Sequence, residues 1–129
     1  SVPLVPAGAI LGPGDVALLP ALRSDGYRTN VGVVSTAAVP IQVLVRVFSD
    51  DGEVVGEVPI DVPAGGLLQV NRILGDLSFT GAAWAEVSSD DAGASFLTYA
   101  SVVDEASGDP SFIAPLSATN VTSGAAGGR

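Results

Sequence analysis

The stretch "IQVLVRVF", residues 41–48, sends Ile41, Val43, Val45 and Val47 to one side and Gln42, Leu44, Arg46 and Phe48 to the other. A period of two marks an extended strand with one face turned to a core. The same alternation puts Tyr27, Thr29, Val31 and Val33 of "YRTNVGVV" on one face. It recurs in "EVVGEVPIDV" (53–62), "LLQVN" (67–71), "AAWAEVSS" (82–89) and "SFLTYASVV" (95–103). Turn-forming segments separate these runs: "STAAVP" before Ile41, "SDDGE" with Gly52 where a hairpin needs positive φ, "PAGG" at 63–66 and "DDAG" at 90–93. The last of these is expected to close a hairpin between its flanking strands. Strands at this spacing predict a sandwich or a barrel.

Only "RILGDLS" (72–78), stopped by Gly75, offers a helical turn, so no helix longer than two turns is expected. "DVALLPALRSDG" (15–26) reads as a strand or as a short helix broken by Pro20. The expected core draws on Val31, Val33, Val43, Val45, Val58, Ile60, Trp84, Val87, Leu97, Tyr99 and Val103. Residues 1–14, with proline or glycine every few positions, read as an extended N-terminal arm. Residues 15–115 then form the β-sandwich domain and 116–129 a C-terminal tail.

The charge balance narrows the function. Fourteen acids face five arginines and no lysine, for a net charge of −9 with no basic cluster. That excludes the usual footprint for nucleic acid or an anionic membrane. The charged fraction is 15%, against roughly 25% in an average soluble domain. The deficit requires a surface rich in Ser, Thr, Gly and Ala, or one partly buried against other subunits. Membrane insertion does not explain it: the uncharged run from Thr29 to Val45 holds Ser35, Thr36, Pro40 and Gln42 and reads as two strands around a turn.

Several motifs, in order, carry a resemblance: "YRTNVGVVS", "VRVFSDDGEVVG", "VPAGGLLQVNRIL", "AWAEV" and "YASVVDEASGDPSFI". Together they resemble a β-sandwich module of secreted bacterial proteins, over roughly Val2–Pro115. The resemblance implies secretion, an immunoglobulin-like antiparallel sandwich and a non-catalytic role. The module has no established activity, so no functional residues carry over. The tail after Pro115 passes the module's usual end.

Chemistry is restricted by what is missing. The sequence has no cysteine and no histidine. Without them or lysine there is no Ser-His-Asp, Cys-His or Ser-Lys nucleophile and no Schiff-base lysine. Zinc and copper lose their usual ligands, and no Walker loop is present. Carboxylate chemistry remains. A glycosidase needs two opposed carboxylates across a cleft, whereas Asp50, Asp51, Asp90, Asp91, Asp104 and Asp109 sit in turns, where Asp caps backbone N–H groups. Glu53, Glu57 and Glu86 alternate with apolar residues and are expected to face solvent. Calcium is the stronger alternative, with Asp50, Asp51, Asp104 and Asp109 as its candidates if two loops converge at one end of a sandwich. No loop holds a complete ligand set, so neither metal nor cofactor is expected. "DEASGD" (104–109) reads first as a turn in which Gly108 reverses the chain. Trp84 reads as core, with a carbohydrate-stacking platform as the alternative. "NVT" (120–122) matches the N-glycosylation pattern.

Two readings of function follow, neither enzymatic. In the first, the chain is an extracellular or cell-surface structural protein, a self-assembling filament or surface-layer subunit that packs through terminal strands. Residues 1–6 or 112–122 would add a strand to a neighbour's sheet edge. Val2, Leu4, Phe112, Ile113, Leu116 and Val121 are the side chains such a strand would insert. In the second, it is a secreted binding or spacer module appended to other domains, with carbohydrate or calcium as its ligand.

Overall fold

The alternation resolves into two antiparallel sheets in a computed structural model that describes residues 10–117. The elements are β1 (Val16–Arg23), β2 (Tyr27–Ser35), β3 (Ile41–Ser49), β4 (Val54–Val62), β5 (Leu67–Val70), α1 (Ile73–Asp76), β6 (Ala82–Ser88), β7 (Phe96–Asp104), β8 (Pro110–Ile113) and β9 (Leu116–Ser117). One sheet has the order β4-β3-β6-β1-β9, the other β5-β2-β7-β8. The protein is an all-β sandwich, and the one helical turn among the described residues falls where "RILGDLS" places it.

The core lies between the sheets. Val43, Val45 and Val47 of β3 and Ala83, Ala85 and Val87 of β6 meet Val31 and Val33 of β2 and Phe96, Ala100 and Val102 of β7. Burying a side chain of this size contributes roughly 1.5–3 kcal/mol. Leu11, in the segment read as an arm, is also buried, exchanging backbone hydrogen bonds with Phe96 at 2.8 and 3.0 Å. At the other end of the chain, Leu116 and Ser117 pair with Leu18 and Ala17.

Segment 15–26 is a strand, and Pro20 is tolerated because the ladder to β6 breaks between Leu19 and Leu22. Ala21 takes φ 61 in that bulge, a conformation that costs a non-glycine residue about 1 kcal/mol. Pro59 lies on β4, a sheet edge, where a missing N–H breaks no second ladder.

Several expectations need correction. Trp84 is not in the core; it shares its phase with Glu86, and the small Ala83 and Ala85 point inward instead. Leu97 and Tyr99 are likewise on the outer face of their sheet, with Phe96, Thr98 and Ala100 inward. Val103 is buried on that outer phase, and Val58 is only half-buried. Finally, β6 and β7 form no hairpin. Their connection crosses from one sheet to the other, and Ser89 and Asp91 pin it to the start of β3. Ser89 Oγ donates to the Gln42 carbonyl at 2.6 Å and Asp91 accepts the Gln42 N–H at 2.6 Å.

Candidate functional site

Strand direction and register bring the β1–β2 turn, the β3–β4 hairpin, α1 and the β7–β8 turn to one end of the sandwich. The acidic loop 104–109 sits here, and it is built from its own side chains. Asp104 Oδ1 accepts the Ala106 N–H at 2.9 Å, and the Asp104 carbonyl accepts the Gly108 N–H at 2.7 Å. Gly108 has φ 79, which is why glycine reverses the chain there. Asp109 donates its N–H to Ser107 Oγ at 3.2 Å. In the β3–β4 hairpin, Ser49 Oγ donates to Asp51. The two turns share an end, yet Asp50 and Asp51 do not join Asp104 and Asp109. Among the described residues no three acidic side chains gather as a metal site would require.

The same end does hold a cleft of about 160 Å³, walled by Tyr27, Arg28, Thr29, Arg72, Phe79, Thr80 and Glu105. Its floor is fixed by buried hydrogen bonds. Thr29 Oγ1, 1% exposed, donates to the Arg23 carbonyl at 2.6 Å. Ser24 Oγ donates to the Phe79 carbonyl at 2.8 Å and accepts the Gly81 N–H at 3.2 Å. Asn30 Oδ1, also buried, accepts the Arg72 N–H at 3.0 Å. That bond holds Arg72 at φ 56, ψ 44, a left-handed conformation that an arginine adopts only where its surroundings enforce it.

Three arginines meet at this end. Arg72 donates to Glu105 at 2.8 Å. Arg23 binds Asp25 at 3.3 Å and lies over the Tyr27 ring, 4.3 Å from its centroid. The hydrogen bond between them holds Asp25 below the ordinary carboxylate range and raises Arg23 further. Arg28 forms no ion pair among the described residues. Glu105 is the cleft's one carboxylate and is engaged by Arg72, so the arrangement suits holding an anion rather than paired acid–base work.

Two sheet faces complete the inventory. On the five-stranded sheet Trp84 stacks on Phe48, centroids 4.2 Å apart and 11° from parallel. On the four-stranded sheet, Leu67, Val34 and Leu97 form one cross-strand row. In the next, the Tyr99 ring lies over Gly32 and its hydroxyl donates to Gln69 Oε1 at 2.7 Å. Phe112, 72% exposed, pairs with Ser101 beyond it. Of the expected self-association residues, Phe112 and Ile113 thus lie on β8 beside β7 of the same chain, with Ile113 packed on the core. Leu116, on β9, is 52% exposed. Val2, Leu4, Val121 and the Asn120 acceptor lie outside the described residues.

The arginine cleft escaped the sequence reading, because its walls come from three separate stretches that only the strand register brings together. The sequence matches no family model and no curated protein. The fold is similar to the crystal structure of Thermotoga maritima 1070, with a TM-score of 0.62 and 8% identity, covering 82% of this chain and 92% of that one. At that identity the likeness is one of fold.

Proposed function

We propose that the chain is a non-catalytic, extracellular structural subunit that associates with copies of itself through the outer face of the four-stranded sheet. The observation that carries this reading is the composition of that face. Leu67, Val34, Leu97, Tyr99 and Phe112 occupy most of it, with Gln69, Gly32, Asn30 and Ser101 between them and Arg28 at one end, in a chain of net charge −9. Two such copies repel each other everywhere except where neither presents charge. β2 and β7 run nine residues but β5 and β8 only four, so at ~3.3 Å per residue and ~4.8 Å between strands two copies bury roughly 800 Å² in total, the size of a weak, reversible contact. Phe112 takes part through its side chain, its backbone being already paired to β7. The extracellular assignment draws on the motif resemblance and on a surface without lysine.

A second reading, a secreted binding or spacer module, is favoured by the Phe48–Trp84 pair, whose exposed edges suit a sugar ring. Sedimentation velocity over a concentration series separates the two. The first reading expects a rise in mass through the micromolar range. A chain that stays monomeric at millimolar concentration contradicts it.

A further inference from the structure

The cleft between Arg28 and Arg72 adjoins the association face, with Arg28 one outer row beyond Asn30, Ser101 and Phe112, and goes beyond the reading above. We propose that it is a binding site for a single carboxylate group. Arg28 is half-buried on the outer side of β2, opposite Val103, with no acidic partner among the described residues. A half-buried guanidinium left without an anion is unusual, since desolvating a charge is costly unless it is paired. Across the cleft, Arg72 is held in a left-handed conformation by the buried Asn30. Its backbone is therefore fixed in place before any ligand arrives, which lowers the entropy cost of binding.

The local charge selects the ligand. Two guanidiniums against the one carboxylate of Glu105 leave a single positive charge, which one carboxylate neutralises. A phosphate brings nearly two negative charges against that single positive one and leaves the cleft with an excess of negative charge, so it is disfavoured. Guanidinium forks also match the planar carboxylate geometry. Thr80 also lines the cleft. Size agrees as well: a cleft of about 160 Å³ has room for a carboxylate group and the carbons that carry it.

The test is an NMR titration of the full chain near pH 7, following the arginine Nε–H signals with sodium acetate against sodium chloride at equal ionic strength. Acetate is expected to shift Arg28 and Arg72 saturably, and phosphate to bind more weakly. Arg28→Gln should weaken acetate binding by about tenfold and Arg28→Lys by less, because lysine keeps the charge and loses the fork. Glu105→Gln should strengthen it several-fold by removing the competing anion. N-acetylglycine identifies the source of the carboxylate: tighter binding than acetate points to a peptide end, equal binding to a small free acid. The proposal is overturned if acetate acts no differently from chloride, if phosphate binds more tightly than acetate, or if Arg28→Gln binds acetate like the unaltered chain. These outcomes do not depend on whether the chain self-associates.

Discussion

The outer faces of the two sheets solve the same problem differently. On the five-stranded sheet, Arg46 lies between Glu57 and Glu86 in a cross-strand row, bonded to Glu57 at 2.6 Å. In the adjacent row Phe48 and Trp84 cover each other's rings. The exposed apolar residues of that face, Val54 and Leu116, sit on its two edge strands. The four-stranded sheet has no such row of charge across its middle. The large apolar side chains exposed on its outer face are Leu67 and Phe112, and its central aromatic lies flat over a glycine. One face is finished with charge and mutual stacking; the other leaves Leu67 and Phe112 exposed.

The largest expected effect comes from breaking the flat aromatic packing of the open face. A Cβ at Gly32 would lie 2.2 Å from Cε1 of Tyr99. Gly32→Ala must therefore lift the ring and lose its bond to Gln69, at a cost of about 2–3 kcal/mol. Urea unfolding reads this directly, and an unchanged midpoint would mean that Tyr99 does not cover Gly32. On the closed face, Trp84→Ala removes the stack on Phe48. That side chain is only half-buried, so the loss should be about 2 kcal/mol, below the 3–5 kcal/mol of a core aromatic. A larger loss would return Trp84 to the core.

A smaller effect is expected from the charged row. Arg46→Gln should cost about 0.5 kcal/mol, because the ion pair is largely exposed, and less at high salt. The smallest concerns Asp25. Its pKa is lowered in the folded state by the Arg23 hydrogen bond, so its contribution is present above the ordinary carboxylate range and fades as pH falls through the lowered value. In Arg23→Gln the Asp25 titration, followed by carboxyl carbon NMR, should move up toward the ordinary range.

The same contrast explains what the sequence made legible. In "IQVLVRVF" Gln42 and Arg46 mark the outer phase, and the inward valines follow. In "AAWAEV" Glu86 marks it too, yet the size of Trp84 outweighed the parity it shares with Glu86. In "SFLTYASVV" neither phase carries charge before Asp104, because neither face of β7 is built for open water, so the alternation had no sign to read. The Asp104 turn was legible because its carboxylate accepts a backbone N–H two residues on. The arginine cleft was not, since Arg28, Arg72 and Glu105 meet only through strand order. The β6–β7 crossing was hidden for a related reason: "DDAG" looks like a hairpin turn until Ser89 and Asp91 are seen bound to Gln42 on another strand.

The central claim, that one face is open and the other closed, is tested most directly by sedimentation equilibrium of two matched double variants. Leu67→Lys with Phe112→Lys charges the open face; Val54→Lys with Leu116→Lys charges the margins of the closed one. All four side chains are more than half exposed, so both variants should keep the fold and its melting temperature. The account predicts that the first pair leaves a monomer at concentrations where the unaltered chain associates, while the second pair associates as before. Loss of association in the second variant with its retention in the first would contradict it.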